Sequence, residues 1–302
     1  MALPLAIGVD VGGTKILAGV LDREGRILRR TEHPTPAESR EDVLAALGEA
    51  VESVRDAEVA AVGLGFPSHL ERGTGRILHA TNIPLADFDL GGWARERFGL
   101  PIGVENDANT ATLAEWRLGA GRGASTLVML TLGTGVGGGL VLDERLYRGW
   151  AEIGHIVVQA GGPPCQGACH GHGHLEAVAS GTAADRVARE LWGESADAHV
   201  LVERARSGDE DARAGLAKIG SFLGAAIGSL ANLFDPDVVV VGGGFGEAAG
   251  DLVLGPAQEA ARQEALSPAD RELRIVPAAL GADAGLVGAG LVAFDALDGA
   301  GA

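Results

Sequence analysis

Short apolar runs separated by glycine-rich turns dominate the first third of the chain. Residues 5–9 (LAIGV) form an apolar strand that DVGGT turns, and 15–22 (KILAGVLD) return as a second strand. Asp22-Arg23-Glu24-Gly25 supplies the next turn and 26–32 a third strand, so the pattern predicts an antiparallel meander. The period then changes. Val43, Leu47, Ala50, Val51 and Val54 keep one apolar helical face over about 40–55, behind a capping-box-like start at Ser39 and Asp42. A buried strand (59–64), a Pro-containing loop, TNIPL at 81–85 and a short strand (102–104) follow. They lead into ENDAN and a helix over 107–118 that ends at Gly119.

The opening pattern recurs in the second half. GVDVGGTKILAGVLDREGRIL and MLTLGTGVGGGLVLDERLYRG share one order: strand, Gly/Thr turn, strand, acidic turn, strand. Self-similarity of whole units predicts a duplicated domain. Downstream come helices near 175–192 and 210–233, then strand 238–241 running into Gly242-Gly243-Gly244 and a helix. That strand–glycine–helix unit suits a nucleotide, because a helix start offers free amides to an anion. A last helix follows Gly281.

A length of 302 residues suggests two domains, and 46% hydrophobic residues allow large cores. The formal charge is 24 − 41 = −17 with no dense basic run, which argues against nucleic acid or an anionic membrane as a partner. A smaller anion such as ATP stays compatible, since a few oriented amides and one metal ion can hold it locally. The start, MALPLAIGVDVGG, has no basic leader region, and nowhere do about 18 apolar residues run together. A cytoplasmic protein is expected.

Three constellations carry chemistry. In Asp10-Val11-Gly12-Gly13-Thr14-Lys15 the glycines allow close backbone approach to a phosphate. Asp10 is placed to hold Mg²⁺ directly or through water, and Lys15, one of two lysines, offers a compact charge near phosphate. An isolated turn of this kind is more often a plain hairpin. Its pairing with Gly133-Thr134-Gly135-Val136-Gly137-Gly138-Gly139 in the same strand context changes that reading, because two such hairpins can grip a phosphate chain. Glu105-Asn106-Asp107-Ala108-Asn109 lies at a strand-to-helix junction, where Asn and Asp are ordinary caps but a carboxylate near phosphate could also accept a hydroxyl proton. Finally, both cysteines and four of eight histidines fall between His155 and His174, a density that points to zinc. Six candidates (His155, Cys165, Cys169, His170, His172 and His174) compete for about four positions.

GVDVGGTK, AVGLGFPS, ENDAN, TLGTGVGGG, EIGH and HLEAVASG follow one another as in the ROK family of sugar kinases and repressors, which the chain resembles over essentially its whole length, most closely in the bacterial glucokinase branch. The resemblance implies an α/β protein of two actin/hexokinase-like (ribonuclease H-like) domains with an interdomain cleft. One would span 1–108 plus about 285–302, the other 109–284 with a zinc-binding loop at 155–174. It implies ATP-dependent phosphorylation of a hexose, glucose to glucose 6-phosphate at the entrance to glycolysis. Asp107 would be the general base, with Asn82, Asn106, Glu152, His155 and Glu176 on the sugar. Asp10, Gly12, Thr14, Gly133, Thr134 and Gly135 would match the phosphate turns, and Gly243 the adenosine side.

In the family's zinc motif the first Cys of CxCGxxGC stands ten residues after the His of a GH pair. His155 and Cys165 keep that spacing, whereas the second Cys arrives two residues late and the third is replaced. The set implied is His155, Cys165, Cys169 and His174, with His170 or His172 as substitutes. A homodimer or homotetramer is implied as well. Other expected readings are a kinase for N-acetylmannosamine, N-acetylglucosamine, fructose or mannose, and a sugar-responsive regulator. The regulator is disfavoured because the first phosphate motif begins at Gly8 and the net charge opposes DNA.

Overall fold

The computed structural model describes residues 4–36, 38–71, 73–80 and 83–299. By contacts the chain divides into two units: residues 1–118, 148–150 and 283–302, and residues 119–147 and 151–282. The sequence reading places the first boundary at 108/109. The contacts place it after Leu118, because the helix that begins at Asp107 packs on the chain's last helix.

Unit 1 opens with the expected meander, β1 (Leu5–Val11), β2 (Lys15–Leu21) and β3 (Ile27–Pro34). Helix α1 (Arg40–Val54) is capped as expected, with the Ser39 hydroxyl accepting the Asp42 N–H at 3.1 Å. Next come β4 (Val59–Phe66), a small sheet of β5 (Ser68–Leu70), β6 (Arg76–Ala80) and β7 (Phe88–Asp89), and helix α2 (Leu90–Phe98). Strands β5 and β6 occupy the stretch read as a Pro-containing loop, and β7 and α2 lie where the sequence predicted no element. Two- to five-residue strands carry no legible alternation, and α2 has glycines at its second and third positions. Strand β8 (Ile102–Asn106) then leads into α3 (Asp107–Arg117).

Unit 2 contains β9 (Leu127–Leu132), β10 (Val136–Leu142) and β11 (Arg145–Leu146), followed by α4 (Leu175–Ala179), α5 (Gly181–Trp192) and α6 (Ala198–Arg206). Then come α7 (Glu210–Phe234), β12 (Val238–Gly242), α8 (Gly244–Ala249), α9 (Asp251–Glu264), α10 (Ala269–Glu272) and β13 (Ile275–Pro277). The single helix read over 175–192 is broken at Ser180, whose buried hydroxyl accepts the Ala183 N–H and starts α5. Helix α7 is apolar and long enough to cross a membrane by length and composition, although charged and polar residues interrupt its apolar run; more than half of its most apolar stretch is buried, and it packs chiefly on α9. The chain returns to unit 1 for α11 (Ala284–Leu297).

The duplication is visible in the sheets. Their orders are β3-β2-β1-β4-β8 and β11-β10-β9-β12-β13, each an antiparallel meander extended by two parallel strands. In unit 1 the two-residue period gives the sheet unequal faces. Ile7, Val9, Val11, Val62, Leu64 and Phe66 pack in one core with α1 and α2. The alternate residues Ala6, Gly8, Ala61 and Gly63 are small, and a Cβ on Gly8 or Gly63 would strike the α11 backbone at Leu286 or Ala289. The helix therefore lies directly on the strands. Asp10 continues this small-residue row and meets the start of α11 at Gly285.

Candidate active site

In unit 1 the β1–β2 hairpin is closed by Gly12 N–H donating to the Lys15 carbonyl at 2.8 Å. Thr35 staples its tip: the hydroxyl donates to Gly12 O at 2.8 Å and the N–H to Thr14 O at 3.0 Å. Gly13 and Thr14 stay exposed, as a phosphate turn requires, and Lys15 pairs with Glu32 at 3.2 Å on the surface. Asp10 is half-buried. Burial, and then the negative charge of Asp107, push its carboxyl up to about 6, with Lys15 offsetting part of the rise. The structure thus brings the magnesium candidate and the base candidate close enough to repel. A divalent cation relieves that repulsion, so the residues present fit one.

Asp107 is the first residue of α3, its Oδ1 accepting the Ala108 N–H at 2.9 Å. Asn106 is the N-cap, accepting the Asn109 N–H at 3.1 Å and donating from Nδ2 to Ser68 O at 3.3 Å. Capping uses Oδ1 and the Ser68 contact one of the two Nδ2 hydrogens. The sequence reading gave no role to Glu105, which accepts from Asn106 N–H and Asn109 Nδ2, both at 3.0 Å, and pairs with Arg148 at 3.2 Å. Arg148 is missed altogether, since a single arginine in a loop has no periodic or motif signal. Asn82 lies outside the described residues.

In unit 2 the β9–β10 turn is braced from below. Gly133 O accepts the Gly181 N–H at 2.7 Å, and Thr134 O accepts from Thr182 Oγ1 at 2.8 Å and Gln166 Nε2 at 3.0 Å. With these carbonyls bound to the start of α5, the turn's orientation is fixed. A Cβ at Gly135 would displace the Glu176 carboxylate, whose Oε2 accepts the Val136 N–H at 3.0 Å. Gly243 adopts a positive φ of 85° and presses on the Leu132 backbone, beside the same turn. The adenosine and phosphate candidates of this unit therefore adjoin. Glu152 is exposed at the start of the 3-10 turn Ile153–His155.

His155, Cys165, Cys169 and His174 converge, their donor atoms all within 4.8 Å of one another. His170 and His172 are exposed and outside this group. Two short bridges, Val157 to His174 and Pro164 to His172, fold the loop back so that His174 turns inward. The two Nδ1 atoms are 3.3 Å apart, and the sulfur–nitrogen separations are 3.6 Å (Cys165 to His155) and 3.5 Å (Cys169 to His174). Metal–nitrogen bonds of about 2.05 Å and metal–sulfur bonds of about 2.3 Å give tetrahedral edges of about 3.35 and 3.55 Å, so the donors are spaced for a metal ion. Burial pushes the Cys165 thiol up to about 11, with Cys169 and Glu176 adding to the rise, an environment that a cation reverses. Cys165 Sγ also lies 3.8 Å from Glu176 Oε1, so Glu176 joins the Cys/His loop to the β9–β10 turn.

Two domains of this topology, each with a glycine hairpin, define the two-domain actin-like ATPase fold of the sugar-kinase superfamily. Within it the chain belongs to the ROK family, whose model matches residues 6–296. It is 37% identical to a glucokinase of Streptomyces coelicolor over 94% of this chain and 96% of that one. It is 33% identical to an N-acetylmannosamine kinase of Haemophilus influenzae over 96% of both. It superposes with a TM-score of 0.83, at 37% identity, on the crystal structure of a ROK family glucokinase from Streptomyces griseus in complex with glucose and AMPPNP, over 96% of this chain and 99% of that one.

Proposed function

We propose that the protein is an ATP-dependent hexose kinase acting on the 6-hydroxyl of glucose, with Asp107 as general base. The observation that carries this reading is that Asp10, where β1 enters the glycine hairpin, lies within electrostatic reach of Asp107, the first residue of α3. Identity to glucokinases above that to N-acetylmannosamine kinases supports glucose. The glycine turns, residues 10–15 and 133–135, direct backbone amides at the nucleotide's phosphates, and Gly243 leaves room for its adenosine. Asn82, Asn106, Glu152, His155 and Glu176 hold the sugar hydroxyls. Asp107 takes the proton of the attacking hydroxyl as its oxygen bonds to the γ-phosphorus; the bond to the bridging oxygen breaks in line and ADP leaves. Asp10 would hold Mg²⁺, which when bound would neutralise charge on the terminal phosphates.

His155, Cys165, Cys169 and His174 would hold Zn²⁺ in a structural role. His155 Nδ1 faces Cys165 and His174, which leaves Nε2 for a sugar hydroxyl. A cytoplasmic location and a homodimer or homotetramer complete the reading, the exposed Leu233 and Leu266 offering apolar surface for association. The test is ATP consumption across a panel of hexoses and N-acetylhexosamines, repeated with Asp107→Asn. Glucose is expected to have the highest kcat/KM, and the variant to lose at least a thousandfold in kcat while its glucose Kd stays within threefold. Preference for an N-acetylhexosamine refutes the substrate, and near-normal turnover of the variant refutes the base.

A further inference from the structure

Glu105 has no part in the sugar or phosphate roles above, yet it is a buried carboxylate immediately before Asn106 and Asp107. Both of its oxygens are engaged. Oε1 accepts the Asn106 backbone N–H and the Asn109 side-chain amide, each at 3.0 Å, and Oε2 faces Arg148 Nε at 3.2 Å. A carboxylate this deep is tolerated only where donors and a cation surround it, and Arg148 is that cation. Its own side chain is 39% exposed against 8% for Glu105, so the pair reaches from the surface to the root of the catalytic turn.

Arg148 belongs to residues 148–150, which make their contacts in unit 1 although the chain on either side belongs to unit 2. This three-residue segment is anchored twice. Besides the Arg148 ion pair, Trp150 stacks on His69 of β5 with ring centroids 4.9 Å apart at 17°. Strand β5 also provides Ser68, whose carbonyl accepts the Asn106 Nδ2 donor. Asn106 is therefore held by its backbone through Glu105 and by its side chain through β5, and both holds lead to residues 148–150.

In-line phosphoryl transfer is sensitive to placement of the base: a displacement of about 1 Å costs on the order of a hundredfold in rate. We propose that Glu105 and Arg148 are positioning residues for this reaction, fixing the β8–α3 turn so that the Asp107 carboxylate meets the incoming hydroxyl. The inference rests on the reading of Asp107 as base. A pair that served stability alone would leave kcat per folded molecule unchanged on removal.

The experiment measures kcat, glucose Kd by calorimetry and melting temperature for Arg148→Ala, Arg148→Lys, Glu105→Gln and the double variant Glu105→Gln/Arg148→Ala. Arg97→Ala, which removes a different ion pair of unit 1 with Glu52, is the control. Arg148→Ala and Glu105→Gln are each expected to lower kcat 10- to 100-fold with glucose Kd within threefold. The double variant should fall no more than threefold below the worse single one, Arg148→Lys should recover at least threefold over Arg148→Ala, and the control should stay within twofold of wild type. In an Asp107→Asn background, adding Arg148→Ala should change the residual rate less than twofold. The proposal is overturned if Arg148→Ala keeps kcat within threefold of wild type, if the single losses multiply in the double variant, or if kcat falls only in step with glucose binding or folded fraction. Near-normal turnover of Asp107→Asn alone would sink the base assignment instead, while the Glu105–Arg148 cycle in the wild-type background still decides whether that pair governs turnover.

Discussion

Replacing Asp10 with Asn should make the resting protein more stable while destroying its activity. The carboxyl sits at about 6 in the folded chain against an ordinary value of 3.8, raised by burial and then by Asp107. A difference of about two pH units corresponds to about 3 kcal/mol at 1.36 kcal/mol per unit. The sign follows from the direction of the shift. Below about pH 4 the group is protonated whether the chain is folded or not and costs nothing; as pH rises through about 6, the folded chain must ionise a carboxyl that the unfolded chain ionises more readily. Wild type therefore loses about 3 kcal/mol of stability across that interval, and the neutral amide, nearly the same shape, does not. At pH 7.5 the variant should melt on the order of 5–10 °C higher. Thermal melts from pH 4 to 8, without magnesium or nucleotide, make the comparison. The gap should open between pH 4 and 6 and stay level above. A variant no more stable than wild type at pH 7.5, or a gap indifferent to pH, would refute the reasoning. In the same preparation kcat should fall at least a hundredfold, because the charge that strains the resting fold is the one a divalent cation uses.

Other substitutions probe the remaining parts of the site. Gly135→Ala drives a methyl into the Glu176 carboxylate and breaks its bond to the Val136 N–H, so KM for ATP should rise at least tenfold in steady-state kinetics, with little change in the melting temperature of unit 2. Cys165→Ser should reduce bound zinc from about one ion per chain to a small fraction by elemental analysis, and weaken glucose binding at least tenfold as the loop carrying His155 loosens. Asp237 accepts the backbone N–H groups of Thr126 and Ser125, which hold its carboxyl below the usual range. Its contribution is present above about pH 4 and lost as pH falls through the lowered value. Asp237→Ala should thus lower the melting temperature at pH 7, an effect that fades as pH falls through the carboxyl's lowered value.

What could be read from the sequence was local. The two hairpins are legible because strand, glycine turn and strand adjoin in the chain, and their repetition announces the duplicated sheets. ENDAN and the Cys/His cluster are dense in residue types that bind or cap. What escaped was set by distant partners. The residues alone leave His170, His172 and His174 open and only the resemblance favours His174, because the return of the loop at Val157 and Pro164 that turns it inward has no local signal. The break at Ser180 lies inside a stretch whose apolar pattern continues unbroken, and its cause is the start of α5 under the Gly133–Thr134 turn. Arg148 acquires meaning only beside Glu105, 43 positions away (148 − 105). Asp10 reads as a strand-end residue, and nothing near it in the chain reveals that α11 closes over it.

That last helix has a bearing on synthesis. Unit 1 is assembled from both extremities of the polypeptide, with Ala6, Gly8, Ala61 and Gly63 reserving a trough for residues 284–297. During translation the whole of unit 2 emerges before the trough can be filled. At about 5–20 residues per second a nascent chain thus carries an unsealed sheet for tens of seconds, and Asp10 gains its neighbour Gly285 only when residues 284–297 arrive.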